Sequence, residues 1–319
     1  MADEPPAFTM RPIYLDHNAT SPLDPEVLEA MRPLWLAGGN PESRHAAGRA
    51  ARRAWDRARD TVAMILGADP AEVVFTSGGT ESNNLALFGL AGAEPGRGHL
   101  VASPLEHPAV AEPVARLEAA GCAVTRPEVG PEGIVDADLM AAALRPETRL
   151  ATLILAHNET GALQPVRLLA ALAAGRGVAV HTDAVQAVGR IPVDFHGLGV
   201  ATLAAGAHKF HGPAGVGLLL IRKGVEPRPR LFGGGQQQGR RPGTVAVPLA
   251  VGLAAALGCW HREADARIAR WTALRDRLEA GLIAALGPDQ VIRTGTATPR
   301  CGCRRPCTSA SPGATATPC

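Results

Sequence analysis

The chain has 319 residues with a formal net charge of +2 and ordinary hydrophobic content. So small a charge argues against nucleic acid or an anionic membrane surface as partner, and the length suits one large domain with a smaller one. From Arg293 onward there are four arginines and no acidic residue, so the body of the chain is net acidic.

In chain order, the N-terminus has no basic region followed by an apolar stretch, which predicts no secretory signal. The run 72–76 reads as a strand, 81–90 as a helix, 99–103 as a strand and 108–120 as a helix. The strongly apolar run 150–156 reads as a strand, 166–174 as a helix and 178–183 as another strand. Runs 200–205 and 215–221 complete the sheet. Strands alternating with helices predict an α/β fold, a mostly parallel sheet between helices. In such sheets ligands gather at the carboxyl ends of strands. Thr76, Asn158, Asp183 and Lys209 all fall at or just after such ends. A long helix is expected over 247–286, with Gly258 inside it and Gly287-Pro288 ending it. The longest apolar stretch, 249–258, is too short to span a bilayer. From 293 to 319 the chain lacks Leu, Ile, Val, Met, Phe, Trp and Tyr, so this tail is expected to be disordered. Only Cys122 and Cys259 lie in the body; they read as small buried hydrophobes in a reduced, cytoplasmic protein. Cys301, Cys303 and Cys307 lack a second ligand pair at zinc spacing, and no metal site is assigned.

The densest chemical signal is Ala-Gly-Ala-His-Lys-Phe-His-Gly-Pro at 205–213, preceded by His-Thr-Asp-Ala-Val-Gln at 181–186. A lysine among small residues after an apolar run, with a carboxylate on a neighbouring strand end, suits pyridoxal phosphate (PLP). The amine of Lys209 forms a Schiff base with the aldehyde, and Asp183 keeps the pyridine nitrogen protonated. The loop Thr-Ser-Gly-Gly-Thr-Glu-Ser at 76–82, between strand and helix, offers backbone N–H groups for the phosphate, with Gly79 and Thr80 in direct contact; a plain capped turn is the alternative. His107 is placed to stack on the ring and exchange protons, against a merely structural loop histidine. Asn158 and Gln186 are donors for the phenolic oxygen, although Asn158 and Gly161 also suit a simple turn. The loop 233–244 holds Arg240 and Arg241 among glycines and reads either as an anion site, in its own subunit or across a dimer, or as a flexible surface loop.

Together the segments 14–20, 39–43 with His45, 75–81, 106–108, 158–161, 182–186, 208–209 and 239–244 resemble the cysteine desulfurases, PLP enzymes of the class V aminotransferase type, over residues 12–292. The resemblance implies an aspartate-aminotransferase-like large domain at 15–246, a segment 1–14 packing on a small domain, an incomplete small domain at 247–292 and a non-family tail at 293–319. It implies Lys209 as Schiff-base lysine, with His107 beside it as the second catalytic group, and Asp183 on the ring nitrogen. Gln186 and Asn158 would meet the phenolic oxygen. Gly79, Thr80, His208 and the partner subunit's Thr244 would hold the phosphate. It further implies a homodimer acting on L-cysteine, yielding alanine and passing sulfur to an acceptor protein, as in iron–sulfur cluster assembly. Two departures stand out. Gly206 takes the place of a phosphate-binding serine, its contact left to backbone N–H groups. The nucleophilic-cysteine loop and its carboxylate-binding arginine should lie beyond Arg293, where nothing matches, so a truncated or frameshifted reading frame and impaired activity are expected. Another PLP-dependent lyase or aminotransferase reaction, and an inactive coenzyme-binding or dimer-partner protein, are the competing readings.

Overall fold

The computed structural model describes residues 13–91 and 98–293, together with the short strand Ser309–Ala310. The remaining residues of the segments 1–12, 92–97 and 294–319 lie outside the described residues, and with them Cys301, Cys303 and Cys307.

A seven-stranded sheet runs in the order β1 (Val73–Thr76), β7 (Gly217–Ile221), β6 (Thr202–Gly206), β5 (Ala179–Asp183), β4 (Thr148–Thr152), β2 (His99–Ala102) and β3 (Ala123–Thr125). The pairs from β6 to β3 are parallel, and β7 runs antiparallel to both β1 and β6. The sheet is therefore mixed, with β1 pointing the same way as the parallel set. This brings the end of β1 to the same edge as the ends of β5 and β6, the edge where crossover connections leave room for a ligand. Strands β1, β2, β6 and β7 are buried along their whole length, as an apolar run covered on both faces requires.

Helices α3 (Gly79–Leu90), α4 (Pro108–Ala119), α5 (Ala137–Ala142) and α6 (Val166–Ala174) connect or cover these strands. Helices α1 (Pro25–Ala37) and α2 (Ala46–Leu66) precede the sheet, and neither they nor β3 stand out in the sequence pattern. Trp55 of α2 meets Phe75 of β1 edge-on at 4.8 Å. Such a pair adds about 0.5–1.5 kcal/mol beyond burial and fixes α2 against the strand that feeds the glycine loop. The short helix α7 (Phe195–Leu198) leads into β6.

The long helix α8 (Val247–Leu286) runs the full predicted span, with Gly258 inside it and Gly287 at its end. Its buried residues stop at Trp260; beyond that point the helix has no fully buried side chain. One expectation is corrected. The strand predicted at 150–156 is β4, 148–152, because Leu153–Leu155 leave the regular ladder before Ala156 bridges to Leu163. Ser309–Ala310 (β9) pairs antiparallel with Ile292–Arg293 (β8), and the rest of the tail beyond 293, on which the expectation of disorder falls, lies outside the described residues.

Candidate active site

A cavity of about 250 Å³ opens at the shared strand edge, lined among others by Gly79, Thr80, His107, Asn158, Gln186 and Lys209. Asp183, His208 and Asn83 complete its polar wall. Eight of the ten residues expected from sequence thus meet around one space. Gly206 borders it: a Cβ there would lie 3.5 Å from the Gly79 nitrogen. Thr244 does not line this chain's cavity and is exposed.

The glycine loop enters α3 with Gly78 as N-cap. Its fold depends on close backbone packing, since a Cβ on Gly217 of β7 would fall 2.6 Å from the Gly78 backbone. Glu81 accepts from Ser77 N (2.7 Å), and Arg241 Nε donates to the same carboxylate at 2.8 Å. The Gln237 side chain both accepts from Phe75 N and donates to Phe75 O, extending the β1 edge. Arg240 donates to Ala71 O. Both arginines of the 233–244 loop are thus engaged within their own subunit. The anion-site reading of that loop is corrected for Arg241, whose charge is matched by Glu81.

His107 is the N-cap of α4, its Nδ1 accepting from Ala109 N at 3.0 Å. In the neutral ring that leaves the proton on Nε2. Lys209 follows β6 on a single tight turn. Its Nζ donates to Asn18 O (2.6 Å) and Ala19 O (2.9 Å). Gln186 Nε2 donates to Asn18 O at 3.0 Å, so the donor expected to serve a coenzyme oxygen is turned to the N-terminal turn at residues 17–19. Arg190 fastens the same segment through His17 O and Asn18 Oδ1. His208 Nδ1 lies 3.2 Å from Thr20 Oγ1, and burial lowers its basicity.

Asp183 is 3% exposed. Its Oδ1 accepts from Val185 N (2.9 Å) and its Oδ2 from Asn83 Nδ2 (2.6 Å). Burial raises its pKa, while these hydrogen bonds and the charges of His107 and Lys209 pull it down. A buried carboxylate held by neutral donors is stabilised strongly by a cation of its own.

Four residues were missed from sequence. Asn18 and Ala19 hold the lysine through backbone carbonyls, which leave no side-chain signal. Asn83, at 0% exposure, reaches Asp183 from α3. The carboxyl head of Glu106 is buried: Oε1 accepts from the Thr152 hydroxyl at 3.2 Å, and Oε2 has no hydrogen-bond partner. Burial, then the Asp183 charge, pushes its pKa well above the usual range. A glutamate before the loop histidine was the available signal.

The residues fit PLP by the chemistry they offer: a buried carboxylate with no ion pair among the described residues, a lysine amine, and a helix N-terminus around one small cavity. The class V aminotransferase model matches residues 13–299, and the chain belongs to that family, whose members of the cysteine desulfurase type depend on PLP. Within the family its similarity is to cysteine desulfurases. It is 46% identical to cysteine desulfurase IscS of Dictyoglomus turgidum over 268 residues, 83% of this chain and 68% of that protein. It is 42% identical to a cysteine desulfurase of Homo sapiens over 290 residues, 89% of this chain and 63% of the relative. The chain thus spans about two thirds of the length of these relatives. Among solved structures, a NifS-like protein superposes with a TM-score of 0.85 at 36% identity, covering 89% of this chain and 78% of its own. SspA in complex with cysteine superposes at 0.74 with 37% identity, over 77% and 72%.

Proposed function

We propose that this chain binds PLP through Lys209 and acts on L-cysteine in the manner of a cysteine desulfurase, forming alanine and releasing sulfur to an acceptor. The observation that carries the reading is the convergence of Lys209, the buried Asp183 and the α3 N-terminus on one cavity. PLP, when bound, supplies an electron sink for the carbanion formed at the substrate α-carbon.

This chain's own residues do the rest. The amine of Lys209 attaches the coenzyme, and release from the Asn18 and Ala19 carbonyls lets it do so. The Asp183 carboxylate holds a proton on the ring nitrogen, an interaction strengthened by burial. Gly79 and Thr80 bind the phosphate at the start of α3, with His208 beside them, where backbone N–H groups and the helix dipole favour an anion. Gly206 brings no hydroxyl and lies beside the Gly79 nitrogen. His107 presents Nε2 to the cavity as the group that takes or gives a proton. Asn158 and Gln186 orient the ring through its phenolic oxygen, Gln186 after turning from Asn18. The reading is completed by a homodimer in which the loop carrying the exposed Thr244 reaches the partner's phosphate site. A body at 15–246 holding this site, with α8 beginning a second unit at 247–292, is the matching division of the chain.

A second reading has its own observation. Among the described residues the cysteines are Cys122 and Cys259; both are buried, neither lines the cavity, and burial raises both thiols, making them poor nucleophiles. Sulfur transfer therefore calls for a thiol from outside the described residues, and the competing reading is coenzyme binding with α-carbon chemistry alone.

Visible spectra with and without L-cysteine, alongside sulfide and alanine assays, separate the two. A coenzyme band near its usual position with sulfide and alanine produced supports the desulfurase; a band without sulfide supports the second reading. Lys209→Ala should abolish the lysine-linked band, and retention of its full intensity would refute the assignment.

A further inference from the structure

Behind Asp183 lies a line of buried side chains that the proposed chemistry does not use. Asn83 Nδ2 donates to Asp183 Oδ2 at 2.6 Å. Asn83 Oδ1 lies 3.0 Å from His181 Nε2, and His181 Nδ1 lies 2.9 Å from Thr202 Oγ1. Asn83, His181 and Thr202 are each at 0% exposure.

The polarity of this line is determined by its outer end. An ionised carboxylate only accepts, so the Asn83 amide must turn its NH₂ toward Asp183 and its oxygen toward His181. That oxygen only accepts, so His181 Nε2 carries the ring proton. The ring's Nδ1 then accepts from the Thr202 hydroxyl. Burial holds the His181 pKa down to about 3, against a hydrogen bond to the Thr202 backbone that raises it, so the ring stays neutral near neutral pH.

The arrangement is costly unless it serves the carboxylate. Burying three polar side chains without partners is strongly unfavourable, and the same-face neighbours Ala86, Ala204 and Ile221 show that this interior is otherwise filled with apolar groups. His181 and Asp183 are two apart on β5 and so face the same side of the sheet, against α3, which carries Asn83. The line ends on one atom at the cavity wall.

We propose that Thr202, His181 and Asn83 form a relay of fixed polarity that keeps the Asp183 carboxylate oriented and ionised toward the coenzyme, making Asn83 and His181 positioning residues of the site. The proposal rests on the PLP reading of that site. Outer hydrogen-bond partners of metal ligands contribute about 10–100-fold to metal affinity, and an effect of that order is expected here for the coenzyme.

The test uses the full chain with added PLP and two variants. His181→Phe keeps an aromatic ring and removes the donor; His181→Gln keeps an N–H near the position of Nε2. PLP affinity should fall about tenfold or more in His181→Phe, with a shifted coenzyme band, and stay within about threefold in His181→Gln. A purely structural role would make affinity follow melting temperature in both. Independently of folding in either variant, ¹H–¹⁵N spectra of the unmodified coenzyme-free chain should show His181 neutral with the proton on Nε2. A proton on Nδ1, or equal affinities in the two variants, overturns the relay and leaves the site reading standing. Failure of the unmodified chain to take up PLP overturns both.

Discussion

At the scale of single residues, Asp183 and Glu106 show how burial gives two carboxyls different tasks. Asp183 is held by Val185 N and Asn83 and feels the charges of His107 and Lys209. Glu106 has one hydroxyl donor, an unpartnered oxygen and Asp183's charge for a neighbour, so it is the one driven to the neutral acid. Its folded pKa lies above the ordinary 4.5, so the folded chain binds the proton more tightly than the unfolded chain. The associated stability is complete below the unfolded value and is lost as pH rises through the folded one. Glu106→Gln, neutral at every pH, should therefore gain in melting temperature relative to the unmodified chain between about pH 5 and about pH 8. A constant difference across that range would show that Glu106 is not proton-linked. Lys209, Asp183 and the glycine loop were legible in sequence because each stands at a strand end in a distinctive run. Asn83 and His181 were not, because their meaning comes from pairing across α3 and β5, residues far apart in the chain. His181 did leave a trace, a polar residue inside the apolar run 178–183.

At the scale of elements, the loop before α3 depends on β7. Gly217 pairs with Thr76 at the end of β1 and packs against Gly78 so closely that any side chain would strike backbone, the Ala205 carbonyl oxygen included, at 2.6 Å. Backbone on both sides leaves no room to adjust. Gly217→Ala should destabilise the fold by roughly 1–3 kcal/mol and weaken coenzyme uptake with it, measured as melting temperature and PLP affinity. An unchanged affinity would mean that the loop is shaped without β7. Alternation of strands and helices made the parallel part of the sheet readable, whereas β7's reversal was not, since an apolar run carries no direction. Helix α8 was readable over its whole length because glycine and proline mark its end.

At the scale of the molecule, the outer half of α8 and the segment after Ile13 leave apolar surface uncovered. Leu15 is 85% exposed, and Leu274 and Leu278 are about half exposed. These side chains, with Ile191, Ile268 and Trp271, line a groove of about 480 Å³. Patches of this kind promote association. The chain should bind a hydrophobic dye and self-associate with rising concentration, and Leu274→Glu with Leu278→Glu should reduce both, as dye fluorescence and light scattering would record. Unaltered scattering in the double variant would place the sticky surface elsewhere.

That groove shares a wall with the small cavity, for Lys209 lines both. Lys209 therefore stands between a polar chamber and an oily trench, and the wetness of its surroundings is set from two directions. Whatever fills or drains the trench alters the surroundings of that residue on the side away from the coenzyme site.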